Sequence, residues 1–156
     1  MVQPMRSALA HAGDEDGFTL VELLVVVVVI AILASIAISG LLSKRAAAGD
    51  SSAKQLANTA EHAAIIYNLN NGTYSAMTPA GLQSVEPSIN VTANGQTVLA
   101  AAGSTATGYS VAAVSSAGDT FNITNANGVL TRTCSIAVGN GNTVTNTGGG
   151  CTNGIW

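Results

Sequence analysis

Hydrophobic and polar positions fall into three regimes along the chain. The first is an unbroken apolar run: residues 23–42 are 20 positions without one charge. At ~1.5 Å per residue they make a helix of ~30 Å, the thickness of a bilayer's hydrocarbon core. The five consecutive valines at 25–29 would favour a strand in water. In lipid every backbone N–H and C=O must be satisfied within the segment, so helix is expected. Glycine at position 40, after Ser39, offers a weak kink.

The second regime begins after Lys44. Ala53, Leu56, Ala60, Ala63, Ala64 and Tyr67 recur at spacings of three and four, with Ile65 and Ile66 widening the stripe. Lys54, Asn58, Glu61, His62 and Asn68 sit mostly off it. Gly49-Asp50-Ser51 is an expected interruption, with Asp50 or Ser51 recapping the helix. Asn70-Asn71-Gly72 is a stop signal. From Phe18 to Leu69 the chain would reach ~78 Å as one helix.

The third regime alternates. Tyr109, Val111 and Ala113, then Phe121 and Ile123, face one way against polar neighbours. Asn127-Gly128 is a hairpin signal. Strands are expected at 109–115, 120–125 and 129–135, an antiparallel meander. Its apolar face is too small to stand alone and needs the helix stripe as cover. Between the helix and these strands, 71–108 reads as an irregular connection. Thr78 and Pro79 could open a short helical turn there, and 85–91 and 96–100 short extended pieces. The fold class is therefore α+β: a long N-terminal helix, membrane-spanning in its first half and amphipathic in its second, packed on a small antiparallel sheet.

One residue contradicts its surroundings. Glu22 stands at the head of the apolar run, where a carboxylate in hydrocarbon costs roughly 2.5–3.5 kcal/mol at mid-membrane and less near an end. No Lys, Arg or His lies between it and Lys44. An α-amino group would serve as partner if the chain were cut just before Phe18.

Gly17-Phe18-Thr19-Leu20-Val21-Glu22-Leu23-Leu24, followed by the long apolar helix, resembles the leader-cleavage motif of type IV pilins and pseudopilins. The resemblance implies a cut by prepilin peptidase between Gly17 and Phe18 and N-methylation of the new N-terminus at Phe18. It implies that Glu22 meets the amine of a neighbouring subunit during assembly. The expected organisation is a leader at 1–17, a transmembrane and filament-core helix at 18–42, its amphipathic half at 43–70, and a globular head at 71–156. The expected partners are further copies of the chain, the peptidase, inner-membrane pilus assembly machinery, and lipid before assembly. Before assembly the chain would be a single-pass membrane protein with its head outside, and afterwards part of an extracellular pilus. Lys44 and Arg45 follow the span while only Arg6 precedes it, so charge counting alone would orient it the other way. The family's usual glycine near Ala31 and proline near Ser39 are absent.

With the head outside, Cys151 pairs with Cys134, the only other cysteine, in a compartment where disulfides persist. By resemblance this bounds the C-terminal loop on which pilin partners bind. The pairing also has a physical motive. A loop containing Gly148-Gly149-Gly150 and almost no apolar side chain cannot hold itself.

Composition narrows the chemistry. Of 156 residues only 8% are charged, for a net charge of −3. Without residues 1–17, four basic side chains face five acidic ones. Lys44, Arg45, Lys54 and Arg132 form no cluster, so nucleic-acid binding is not supported. After the cut one histidine remains, His62, which makes neither a catalytic triad nor, with two cysteines, a tetrahedral metal set. No enzyme, cofactor or metal is expected. Two other readings stay open: a type II secretion pseudopilin, and a membrane-anchored binding or adhesin module whose helix only tethers it.

Overall fold

The computed structural model of the chain describes residues 17–95, 97–138, 143–145 and 148–156. The expected leader at 1–16, Gln96, and residues 139–142 and 146–147 lie outside the described residues. Two units make up the chain, divided between Ser39 and Gly40. The elements run α1 (Leu20–Asn71), α2 (Pro79–Val85), β1 (Val98–Ser104), β2 (Tyr109–Val114), β3 (Thr120–Ala126), β4 (Val129–Val138) and β5 (Thr143–Thr145).

In the first unit α1 is apolar on every side. Its described Leu, Val and Ile side chains from Leu23 to Ile38 are 48–69% exposed. That is the surface of a helix whose partner is lipid or other helices. By length and composition α1 can cross a membrane.

In the second unit α1 lies on the sheet through small residues. Ala53, Ala57, Ala60, Ala63 and Ala64 are buried, with Leu56 and Tyr67 partly so. Alanine at these positions lets the helix backbone approach the strands closely. Ile65 and Ile66, expected to widen the stripe, stand 40% and 44% exposed, and Ala57 takes the inner position instead. The expected break at Gly49-Asp50-Ser51 does not occur; α1 is helical throughout. Gly49 faces Ser116, whose Oγ would lie 2.5 Å from a Cβ at position 49 and would have to turn aside to admit one.

The sheet has five antiparallel strands in the order β1-β2-β3-β4-β5, not the three read from alternation. β1 overlaps the extended piece expected at 96–100 but runs on to Ser104, because its Ala- and Gly-rich end carries little alternation, and it bulges between Leu99 and Ala101. β5 is only three residues long. The segment at 85–91 is not a strand: α2 ends at Val85 and irregular chain follows. Register places Val111 beside Ile123, Ala113 beside Phe121 and Phe121 beside Cys134. Alternate residues of β2 and β3 therefore face α1 and form the core with Leu82, Ile89 and Leu99. Asn127 and Gly128 both adopt positive φ, the two-residue turn the sequence signalled. Thr78 caps α2, its Oγ1 accepting from Gly81 N at 3.0 Å, with Pro79 first in the helix.

Candidate functional site

The N-terminal site is built from four residues. Gly17 and Phe18 precede α1, and a side chain at position 17 would meet nothing within 4 Å. Phe18 is 86% exposed. Thr19 and Glu22 close a reciprocal cap on the first turn. Glu22 N donates to Thr19 Oγ1 at 3.2 Å. Thr19 N and Thr19 Oγ1 donate to Glu22 Oε2 at 3.0 and 2.8 Å. This is the capping box, in which a hydroxyl and a carboxylate three residues apart satisfy each other's backbone amides.

The local partner of Glu22 is the Thr19 hydroxyl and amide rather than a cation, and the Thr-x-x-Glu spacing is the sequence signal for it. The cap supplies hydrogen bonds but no positive charge. A carboxylate that accepts from one hydroxyl and one amide is oriented and still unneutralised, which leaves it fit for a cation brought from outside the helix.

The second site is the C-terminal loop. Cys134 Sγ and Cys151 Sγ form a disulfide, with Cα atoms 5.9 Å apart and a separation of 17 in sequence. Both half-cystines are buried against the core. Inside the loop, Gly148 and Cys151 exchange backbone hydrogen bonds around Gly149 and Gly150. Beyond it, Thr152 and Ile155 do the same, and Gly154 O accepts from Cys134 N at 2.9 Å, covering part of β4's edge. Trp156 then docks on the sheet. Its indole Nε1 donates to Thr133 O at 2.9 Å and Asn122 O at 3.3 Å, and its ring stands edge-on to Phe121 at 5.8 Å.

The helix reaches this region through Lys54, Glu61, Asp50 and Asn58, the last accepting from the Arg132 guanidinium at 3.4 Å. Lys54 Nζ donates to Gly149 O and Gly150 O at 3.0 and 3.3 Å. Glu61 pairs at 2.9 Å with Arg132 of β4, whose guanidinium lies over the Trp156 ring. Asp50 is 3% exposed, beside Ser115 and Asp119 of the β2–β3 turn. His62 is exposed on α1, away from any such grouping. Among the described residues no three His, Cys, Asp or Glu side chains converge as a metal site would require.

Closing a loop of this length contributes about 3 kcal/mol in the chain-entropy model. Replacing both cysteines by serine should therefore lower the head's stability by about that much. Denaturant unfolding followed by the fluorescence of Trp156, the single tryptophan, measures it. An unchanged midpoint would mean that the backbone bonds of residues 148–156 suffice without the crosslink.

Comparison with known proteins gives two findings. Residues 14–38 match the family model described as the prokaryotic N-terminal methylation motif. Over 80 residues the chain is 35% identical to a type IV wide pilus major component, PilA4, of Thermus thermophilus. That match takes in 49% of this chain and 61% of the relative, so the chain spans about three fifths of the length of the curated relative it matches. No solved structure matches the chain.

Proposed function

We propose that this chain, whose methylation motif and similarity to a type IV pilus component support membership of the type IV pilins, is a structural subunit of a pilus filament. Prepilin peptidase cuts between Gly17 and Phe18. The amine of Phe18 is N-methylated, and residues 18–42 anchor the subunit with its head outside until assembly. On assembly, helices exchange lipid for one another and Glu22 pairs with the Phe18 amine of an adjacent copy. Residues 43–70 and 71–156 then form the head that the filament displays.

The observation that carries this reading is Glu22. Its carboxylate is held at the start of a span apolar on all sides, where Thr19 supplies its hydrogen bonds and no cation stands nearby among the described residues. A helix serving only as a tether has no use for an acid at that depth. The loop crosslinked by Cys134 and Cys151 supports a head built to survive outside the cell.

Shearing cells, pelleting the filaments and sequencing the subunit from its N-terminus tests the proposal. Methylated phenylalanine at position one is expected. A full-length subunit that stays with the membrane fraction would place the chain among tethered modules instead. Gly17→Val should block processing, because the peptidase must admit the residue before the cut. Intact mass then shows residues 1–17 retained, and correct processing of the variant would remove Gly17 from the site.

A further inference from the structure

Asp50 is the most anomalous group outside the assembly region. It lies on α1, within the second unit, almost fully buried, and its Oδ1 has no hydrogen-bond partner among the described residues. Its neighbours arrive from three places. The β2–β3 turn contributes the side chains of Asp119, also buried, and Ser115. The next turn of α1 contributes Lys54. The disulfide loop contributes backbone alone: a Cβ on Gly149 would collide with Asp50 Oδ2, and one on Gly150 with Lys54 Nζ. Asp119 is fixed from below, its Oδ1 accepting from Ala137 N at 2.8 Å and its own amide donating to Ser115 Oγ at 3.2 Å.

Two buried carboxyl groups thus meet beneath Gly149 and Gly150. One ammonium stands nearby, and it is engaged with the roof: Lys54 Nζ donates to the two glycine carbonyls. We propose that Asp50 and Asp119 form a proton-operated latch on the Gly148–Cys151 turn next to the disulfide, which stays docked on α1 while the pair shares a proton and loosens when both acids are charged.

The chemistry is a simple exchange. With Asp50 neutral, the pair is a hydrogen bond between an acid and a carboxylate, and Lys54 is left to hold the loop. With Asp50 ionised, two like charges face each other with little exposure to solvent, and Asp50 becomes the better partner for Lys54 one turn along the same helix face. Lys54 then leaves Gly149 O and Gly150 O, and lifting the loop admits water to both carboxylates. Asp119, Lys54 and the Ser115 hydroxyl are the polar groups acting on Asp50 among the described residues.

Burial, helped by the hydrogen bond and charge of Asp119, raises Asp50 from 3.8 to about 6, against the opposing pull of Ser115 and Lys54. The docked state therefore binds the proton more tightly than the open one. Docking is strongest at acid pH and weakens as pH rises through that interval. Every tenfold gain in proton affinity on docking becomes about a tenfold change in the opening equilibrium.

Hydrogen exchange on the full chain in detergent micelles tests the latch. The amides read are Gly148 and Cys151, in wild type and in Asp50→Asn, a neutral side chain of the same shape. Dividing the wild-type rate by the variant's cancels the intrinsic pH dependence of exchange. The ratio should be near one at about pH 3.5, where docked and open states both hold the proton, and rise about tenfold or more by about pH 7.5. A ratio that stays flat overturns the proposal. A second readout needs no variant: reduction of Cys134–Cys151 in the wild type by a water-soluble phosphine, normalised to an unstructured disulfide peptide. It should accelerate about tenfold or more across the same range. A normalised rate independent of pH would equally overturn the latch.

Discussion

Glu22→Ala should abolish filaments while leaving processing and the head's fold intact. The proposed pairing sets the size of the effect. Removing one partner of a buried ion pair leaves the other charge unpaired in an apolar setting, at a cost of about 3–5 kcal/mol. Here the orphan would be the Phe18 amine, and every subunit-to-subunit contact would carry the same loss. Sheared filament should fall well beyond tenfold, with mature subunit accumulating in the membrane.

Glu22→Gln separates the cap that the structure shows from the proposed pairing with another copy. Glutamine can still accept from Thr19 N and Oγ1 and keep the first turn of α1 capped. It cannot neutralise an amine. If charge pairing drives assembly, Gln fails as Ala does. If Gln assembles normally and Ala does not, Glu22 acts as a helix cap and the pairing is wrong.

Phe121→Ala should cost the head about 3–5 kcal/mol, the range for emptying a buried aromatic site. Phe121 is fully buried in β3, between Ala113 of β2 and Cys134 of β4. Trp156 meets its edge, and Lys54 Nζ lies 5.1 Å from its ring centre. One ring thus supports the core, the end of the chain and the lysine that holds the disulfide loop. A domain is commonly stable by about 5–15 kcal/mol, so the loss leaves a marginal head. Thermal unfolding of the full chain in detergent, read by Trp156 fluorescence, should show a lower, broader transition. Phe121→Leu keeps most of the volume and should lose less than half as much. Equal losses for the two would show that packing at this position is not what matters.

Much of this was legible because it rests on local chemistry. The apolar run, the acid within it, the Thr78 cap and the Asn127-Gly128 turn each depend on a few adjacent residues. All but the acid's role are visible in the structure as read. The disulfide was legible because only two cysteines exist. Misread or missed features depend on distant partners. Gly49-Asp50-Ser51 has the composition of a helix break, yet the β2–β3 turn packs there, so glycine gives clearance and Asp50 turns inward. β1 is carried by its neighbour β2 rather than by its own alternation. Ala57 differs: it lies four residues after Ala53 and three before Ala60, on the stripe itself, and the larger Leu56 beside it masks it. The grouping of Asp50, Asp119, Lys54 and Gly149 joins positions up to 99 apart in the chain, which only tertiary packing assembles.

The central claim is that the carboxylate of Glu22 is neutralised by the amine of another copy. Solid-state NMR on filaments mixed from two labelled pools addresses it directly. One pool carries a 13C carboxyl at Glu22, the other a 15N amine at Phe18. A through-space signal between the two labels is expected in mixed filaments, because the proposed contact is between copies. Absence of that signal, with the same labels giving one only when both reside in a single chain, would contradict it.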